Sequence, residues 1–172
     1  MEFFEVVKTR QSIRAFQDKP IDPEAIQQIL ETISRAPSAG NLQGYEVYLV
    51  TRCTVRQALA RSTGGQDFIT QAPLVLVFCA HPARSARKYG RRGTTLYCLQ
   101  DTTIACAYAQ LAVTALGLAS VWVGAFNEDA VRQAIGVGRD LRPVAFLPIG
   151  YAAETPEHRS RRALLELVHR IE

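Results

Sequence analysis

The chain has 172 residues, of which 48% are hydrophobic and 21% charged, and its formal net charge is +4. This is the profile of a soluble globular protein, long enough for one domain (residues 1–172) with a sizeable core, and it argues against a disordered chain. The excess charge is mostly arginine, since Lys8, Lys19 and Lys88 are the only lysines. A mildly basic balance allows an anionic ligand without requiring nucleic acid. Cys53, Cys79, Cys98 and Cys106 form no CxxC and no metal-ligand spacing. His81, His158 and His169 have no spacing that points to a metal or a triad. The opening residues, Met-Glu-Phe-Phe-Glu, are not those of a signal peptide, so the cysteines are expected reduced in a cytoplasmic protein.

Residues 2–10 read as a short helix with Phe3, Val7 and Arg10 on one stripe and Phe4 and Val6 beside it. The chain is expected extended from Ser12. Alternation then puts Arg10, Ser12 and Arg14 on one face, with Gln11 and Ile13 between them. Such a face suits a phosphate, because a guanidinium offers a planar fork of donors and keeps its charge. A solvated basic loop is the other reading. Asp22-Pro23 is a helix start, a capping side chain followed by proline at the first helical position. Ile26, Ile29, Leu30 and Ile33 follow at i, i+3, i+4 and i+7, and the helix stops before Pro37.

Residues 37–44 form a polar, glycine-bearing loop, and residues 45–51 alternate as a strand. A helix is expected over residues 53–62, ended by Gly64-Gly65. Residues 74–79 are a continuous apolar run of strand length, expected to be buried on both faces. Residues 81–93, with Arg84, Arg87, Lys88, Arg91 and Arg92, read as a long basic loop. It is either a solvated surface or an element that gates substrate or attracts anions.

No charged residue lies between Asp101 and Asn127. Threonines, Gln110, Ser120 and the break at Gly117 argue against a membrane span. A long helix over about residues 95–116, apolar nearly all round, must be covered on every side, and a second subunit is one way to cover it. A strand over residues 119–123 leads to Gly124. Asn127 caps a helix over residues 128–135, and residues 143–151 form a strand whose Pro148 places it at an edge or a bulge. The tail carries Arg159, Arg161 and Arg162 before an amphipathic turn or two.

Gly136-Val137-Gly138 follows a helix and so stands in the wrong context for a dinucleotide fold. There is no P-loop, no H-E-x-x-H and no G-x-S-x-G, and no side-chain nucleophile has a base beside it. An enzyme of this kind draws its reactive atom from a bound cofactor.

Four segments, in order, resemble the nitroreductase family of homodimeric flavoproteins. They are Arg10-x-Ser12-x-Arg14-x-Phe16, Ala36-Pro37-Ser38-x-x-Asn41-x-Gln43, the stretch over residues 116–126 ending in Val123-Gly124-Ala125-Phe126, and Arg159-x-Arg161 followed by Leu164 and Glu166-Leu167-Val168-His169. Gly44-Tyr45 stands where the family usually has Pro-Trp. The block Tyr89-Gly90-x-Arg92-Gly93 through Gln100-Asp101 looks like a short-chain branch of the family.

The resemblance implies an α+β fold, with a central mixed, mostly antiparallel sheet flanked by helices, in an intertwined homodimer with FMN at the interface. It implies that Arg10, Ser12, Arg159 and Arg161 bind the FMN phosphate or ribityl chain and that Arg14 lies by the N1/O2 end of the flavin. Pro37, Ser38, Asn41 and Gln43 would reach the isoalloxazine of the other subunit, and the Val123-Gly124 backbone would approach N5. The activity implied is hydride transfer from NAD(P)H through FMN to a nitroaromatic, quinone or similar small acceptor in alternating half-reactions. Another flavin reaction (dehydrogenation, dehalogenation or flavin breakdown) is the alternative, and a non-catalytic polyanion-binding module is a remote one. No metal, nucleic acid or membrane partner is expected.

Overall fold

The computed structural model describes residues 1–157 and 159–171, so the reading of His158 falls outside the described residues. Four strands build one sheet: β1 (Tyr45–Val50), β2 (Leu74–Ala80), β3 (Ala119–Ser120) and β4 (Arg142–Gly150). Their order is β1-β2-β4-β3, and every neighbouring pair is antiparallel. Helices α1 (Phe3–Thr9), α2 (Pro23–Ser34), α3 (Cys53–Ser62), α4 (Phe68–Gln71), α5 (Pro82–Arg92), α6 (Cys98–Ala115), α7 (Glu128–Ile135) and α8 (Leu164–Leu167) surround it. The expected α+β architecture, a mostly antiparallel sheet flanked by helices, is the one observed.

The continuous apolar run of β2 has its explanation in the layers on either side. Leu74, Leu76 and Phe78 face Ile29 and Ile33 of α2 and Ala105, Ala109 and Val113 of α6. The alternate residues Val75, Val77 and Cys79 face Leu59 of α3, Ile69 of α4 and Val131 of α7. Every residue of β2 is buried, and each large aliphatic side chain removed from water in this way stabilises the fold by roughly 1.5–3 kcal/mol. α2 begins as its sequence dictates, with Asp22 accepting from the Glu24 amide at 2.9 Å and Pro23 in the first turn. Asn127 caps α7 by accepting from the Ala130 amide at 2.9 Å.

Several expectations need correction. Residues 81–93 are not a loop, because His81 caps α5 by accepting from the Arg84 amide at 3.3 Å and Pro82 opens its first turn. The helix kinks at Gly90 (φ 50, ψ −133) and runs through a π-helical turn, Gly93–Tyr97, into α6. The strand expected over residues 119–123 is only two residues long, supplemented by a single bridge between Val123 and Phe146. β4 is an inner strand despite Pro148. Phe146 exchanges both backbone hydrogen bonds with Val123. Two residues on, alternation turns the proline nitrogen to the same edge, where residues 121–122 leave the ladder between Ser120 and Val123, and no donor is needed there. In α1 only Val6 is buried, whereas Phe3, Phe4 and Val7 are exposed.

The N-terminal segment is extended after α1, as expected. The Ile13 amide donates to the Ser120 carbonyl at 3.1 Å, and Ser12 forms a parallel bridge with Ser120. Phe16 bridges Ala152, and the Ala153 amide donates to the Ala15 carbonyl at 2.9 Å. One end of the chain is thereby fastened between β3 and the strand that exits β4.

Candidate functional site

That fastening has a chemical result. Ile13 turns inward and is buried, and Arg10, Ser12 and Arg14 turn the other way into a cleft of about 900 Å³. Arg159 and Arg161 reach the same cleft from the far end of the chain, with Lys8 and Gln11 at its wall. Glu157 is the one acidic side chain among its lining residues, against five cations. Among the described residues none of the five forms a salt bridge. Glu154 is engaged by accepting a hydrogen bond from the Arg14 backbone amide, which ties the two parts of the chain together beside the cleft residue Arg14. Like charges gathered without partners repel one another, and an anion of two or more charges relieves that repulsion.

The loop over residues 37–44 is held by its own polar groups. The Gln43 amide donates to Ser38 Oγ at 2.9 Å, and Gln43 Nε2 donates to the Asn41 carbonyl at 2.7 Å and to Asn41 Oδ1 at 2.6 Å. Asn41 and Gln43 both adopt positive φ, at 57° and 44°, a region asparagine tolerates and glutamine occupies at a cost of about 1–2 kcal/mol. Asp101 of α6, buried to 2% exposure, pins the loop from beneath by accepting from the Ala39 amide at 2.8 Å. Pro37 and Ser38 line a second cleft of about 580 Å³ with Tyr97, Asp101 and Ile104. The structure therefore brings Arg10, Ser12, Arg14, Arg159 and Arg161 to one cleft and Pro37 and Ser38 to another, while Asn41, Gln43, Val123 and Gly124 line neither.

Val123 is buried at its bridge to Phe146, and Gly124 is exposed just beyond it. A side chain at Gly124 would press on the Trp122 indole nitrogen at 3.0 Å. In the sequence Asp101 is the last charge before an uncharged run and the end of the Tyr89–Asp101 block, and neither ties it to the loop. Lys8, Gln11, Glu157 and Tyr97 gave no signal that separates them from ordinary surface residues.

Side-chain thiol chemistry is not on offer at these clefts. Burial pushes the Cys79 thiol up to about 12 and raises that of Cys106 well above its ordinary value. Burial also raises Cys98, with the neighbouring Asp101 adding to the effect. Among the described residues no three His, Cys, Asp or Glu side chains gather to hold a metal, and no helix is long and apolar enough to cross a membrane.

The model of the nitroreductase family matches residues 7–66 and 54–151, which together take in most of the chain. The chain belongs to the nitroreductase family. Among similar members, the NADH dehydrogenase of Thermus thermophilus is 30% identical over 87% of this chain and 87% of its own. The FMN reductase of Bacillus subtilis is 29% identical over 91% of this chain and 70% of its own. A crystal structure of a nitroreductase family protein from Clostridium difficile superposes with a TM-score of 0.86 at 30% identity, covering 98% of both chains. The family match ends at residue 151, so Arg159 and Arg161 join the nitroreductase core by the cleft geometry rather than by that match.

Proposed function

We propose that this chain is an FMN-dependent oxidoreductase that passes hydride from NAD(P)H to a small electrophilic acceptor such as a nitroarene or quinone. The observation that carries the reading is the cleft of five cations, none of them in a salt bridge among the described residues, assembled from residues 8–14 and 159–161. An FMN phosphate fits it in charge, and Ser12 and Gln11 supply neutral donors beside the arginines. Similar proteins support this reading, including an oxygen-insensitive NADPH nitroreductase of Salmonella typhimurium, 27% identical, and the FMN reductase already described.

Bound FMN supplies the two-electron carrier between donor and acceptor. Arg10, Ser12, Arg159 and Arg161 hold its phosphate and ribityl chain. Arg14 offers a positive charge that favours the extra negative charge of a reduced ring. Pro37, Ser38, Asn41 and Gln43 supply neutral contacts to the ring, and their fixed loop requires no reordering when it is met. The Val123-Gly124 backbone leaves room for close approach, since glycine carries no Cβ.

Two copies complete the site in this reading. Pro37 and Ser38 stand in a different cleft from the arginines, which suits a site closed by a partner. Phe3, Phe4 and Val7 on α1 and Leu164, Leu165 and Ile171 in the tail are exposed apolar residues that such a partner would cover. We place this enzyme, a single domain over residues 1–172, in the cytoplasm with its cysteines reduced.

The purified protein should be yellow, run as a dimer, and bleach when NAD(P)H is added without air. Steady-state lines at several acceptor concentrations should run parallel, because donor and acceptor occupy the same site in turn. Intersecting lines, or a colourless monomer that takes up no FMN, would overturn the proposal.

A further inference from the structure

We infer that the basic face of α5 reads an anionic group on the reductant, the ribose 2′-phosphate of NADPH, and so selects NADPH over NADH. The inference rests on the oxidoreductase reading above. Arg84, Arg87 and Lys88 fall at i, i+3 and i+4 and share one side of the helix. Like charges at that spacing weaken a helix rather than support it. Only Arg84 has a carboxylate within reach among the described residues, Glu46 at 3.8 Å, and both partners are exposed enough for the pair to be weak. Arg87, Lys88, Arg91 and Arg92 are exposed and none forms a salt bridge with a described residue.

This charge is not on a wandering surface loop. Arg84 Nη1 donates to the Gln43 carbonyl at 3.2 Å, and the His81 amide donates to the Gly44 carbonyl at 2.8 Å. Lys88 Nζ and Tyr89 Oη come so close to Gly40 that a Cβ there would meet them at 2.9 and 2.6 Å. Tyr89 in turn stands edge-on to Tyr97, with centroids 5.0 Å apart, and Tyr97 lines the cleft of Pro37 and Ser38. The helix is therefore locked onto the loop assigned to the flavin ring, and Arg87 and Lys88 stand on it beside that loop. The pyrophosphate bridge is common to both dinucleotides. The phosphomonoester of NADPH adds about −1.5 to −2 charges, and Arg87 and Lys88, which meet no carboxylate among the described residues, have charge left to meet it, whereas Arg92, beyond the Gly90 kink, is engaged by the Tyr97 hydroxyl at 2.9 Å.

The test uses purified wild-type protein with its bound FMN and the variants Lys88→Gln and Arg87→Gln, both at exposed positions. Calorimetric titration with adenosine 2′,5′-bisphosphate and adenosine 5′-monophosphate reads the 2′-phosphate without any turnover. Wild type should bind the bisphosphate about tenfold tighter, and each variant should erase about threefold or more of that difference, with flavin content and spectrum unchanged. The ratio of kcat/KM for NADPH and NADH should fall in step. Equal affinity of wild type for the two nucleotides, or a preference that survives both replacements, would overturn the inference. So would variants that raise KM for an acidic acceptor while leaving the dinucleotide ratio alone. A protein that holds no FMN and oxidises neither dinucleotide would refute the oxidoreductase reading instead, and the nucleotide titration would still decide what α5 recognises.

Discussion

Replacing Ser38 by alanine isolates the bond that holds the 37–44 loop. Its hydroxyl oxygen accepts from the Gln43 amide at 2.9 Å and lies 3.4 Å from Gln43 Nε2. The amide bond is neutral and half-buried, so its net contribution is about 0.5–1.5 kcal/mol. It offsets part of the left-handed backbone at Gln43, which costs about 1–2 kcal/mol. The Asp101 contact to the Ala39 amide and the Arg84 contact to the Gln43 carbonyl survive the change, so the loop loses one anchor and keeps the others. Ser38→Ala should therefore cost about 1 kcal/mol and lower Tm by about 2–4 °C for a chain of this size. Ser38→Thr should recover most of that, because the backbone at this position is extended (φ −142, ψ 156) and suits a β-branched residue that keeps the oxygen. Thermal unfolding followed by circular dichroism, with an FMN titration alongside, measures both effects. An alanine variant within 1 °C of wild type, or a threonine variant no better than alanine, would refute the claim that this hydroxyl holds the loop.

Arg10→Ala should weaken FMN binding by about ten- to a hundredfold, the loss of one charge-assisted contact to a dianion; full flavin occupancy after dialysis would contradict it. A thiol reagent at pH 8 should label Cys53, the exposed cysteine, in the native protein, and reach Cys79, Cys98 and Cys106 only after unfolding. The buried Cys79 thiol carries a pH dependence with it. Its folded value of about 12 lies above its ordinary 9.0, so the native state holds the proton that the unfolded state releases. The stability this provides is complete below about pH 9 and is lost as pH rises toward 12, and urea unfolding at pH 8 and pH 10.5 should show the fall, reduced in Cys79→Ala relative to its own value at pH 8. Gly136→Ala should cost about 1 kcal/mol by unfolding, because this residue ends α7 at φ 72 and a methyl there meets nothing within 4 Å, leaving backbone strain as the whole effect.

The sequence made some parts of this fold legible and hid others for identifiable reasons. Asp22-Pro23 and Asn127 announced their helices because a cap and a first-turn proline are local signals, and both caps are made. His81-Pro82 opens a helix in the same way, but the loop expected over residues 81–93 rests on their arginines alone. Charge density says which residues face water and says nothing about backbone conformation. Pro148 misled in the opposite sense. A proline reports a missing donor, and β4 tolerates it inside the sheet because the ladder on that edge is interrupted at residues 121–122. The stripe of Phe3 and Val7 marked a helix correctly but not its cover, since periodicity cannot say which surface an apolar face will meet. The Arg10, Ser12 and Arg14 face was readable from alternation alone. Its meeting with Arg159 and Arg161 was not, because that depends on pairings between residues about 140 apart, such as Phe16 with Ala152, and reached the sequence reading only through resemblance. Asp101 escaped because a buried acid in an uncharged helix has no pattern to betray its partner, the Ala39 amide.

The cationic cleft also carries a consequence for the order of events during synthesis. Its walls come from residues 7–14 and residues 156–161, nearly the whole length of the polypeptide apart. A nascent chain on the ribosome displays the first wall from the beginning but gains the second only after residue 161 has cleared the exit tunnel. Cofactor capture in the proposed reading would thereby wait on residue 161, and a fragment that stops short of it would offer a flavin half a handhold.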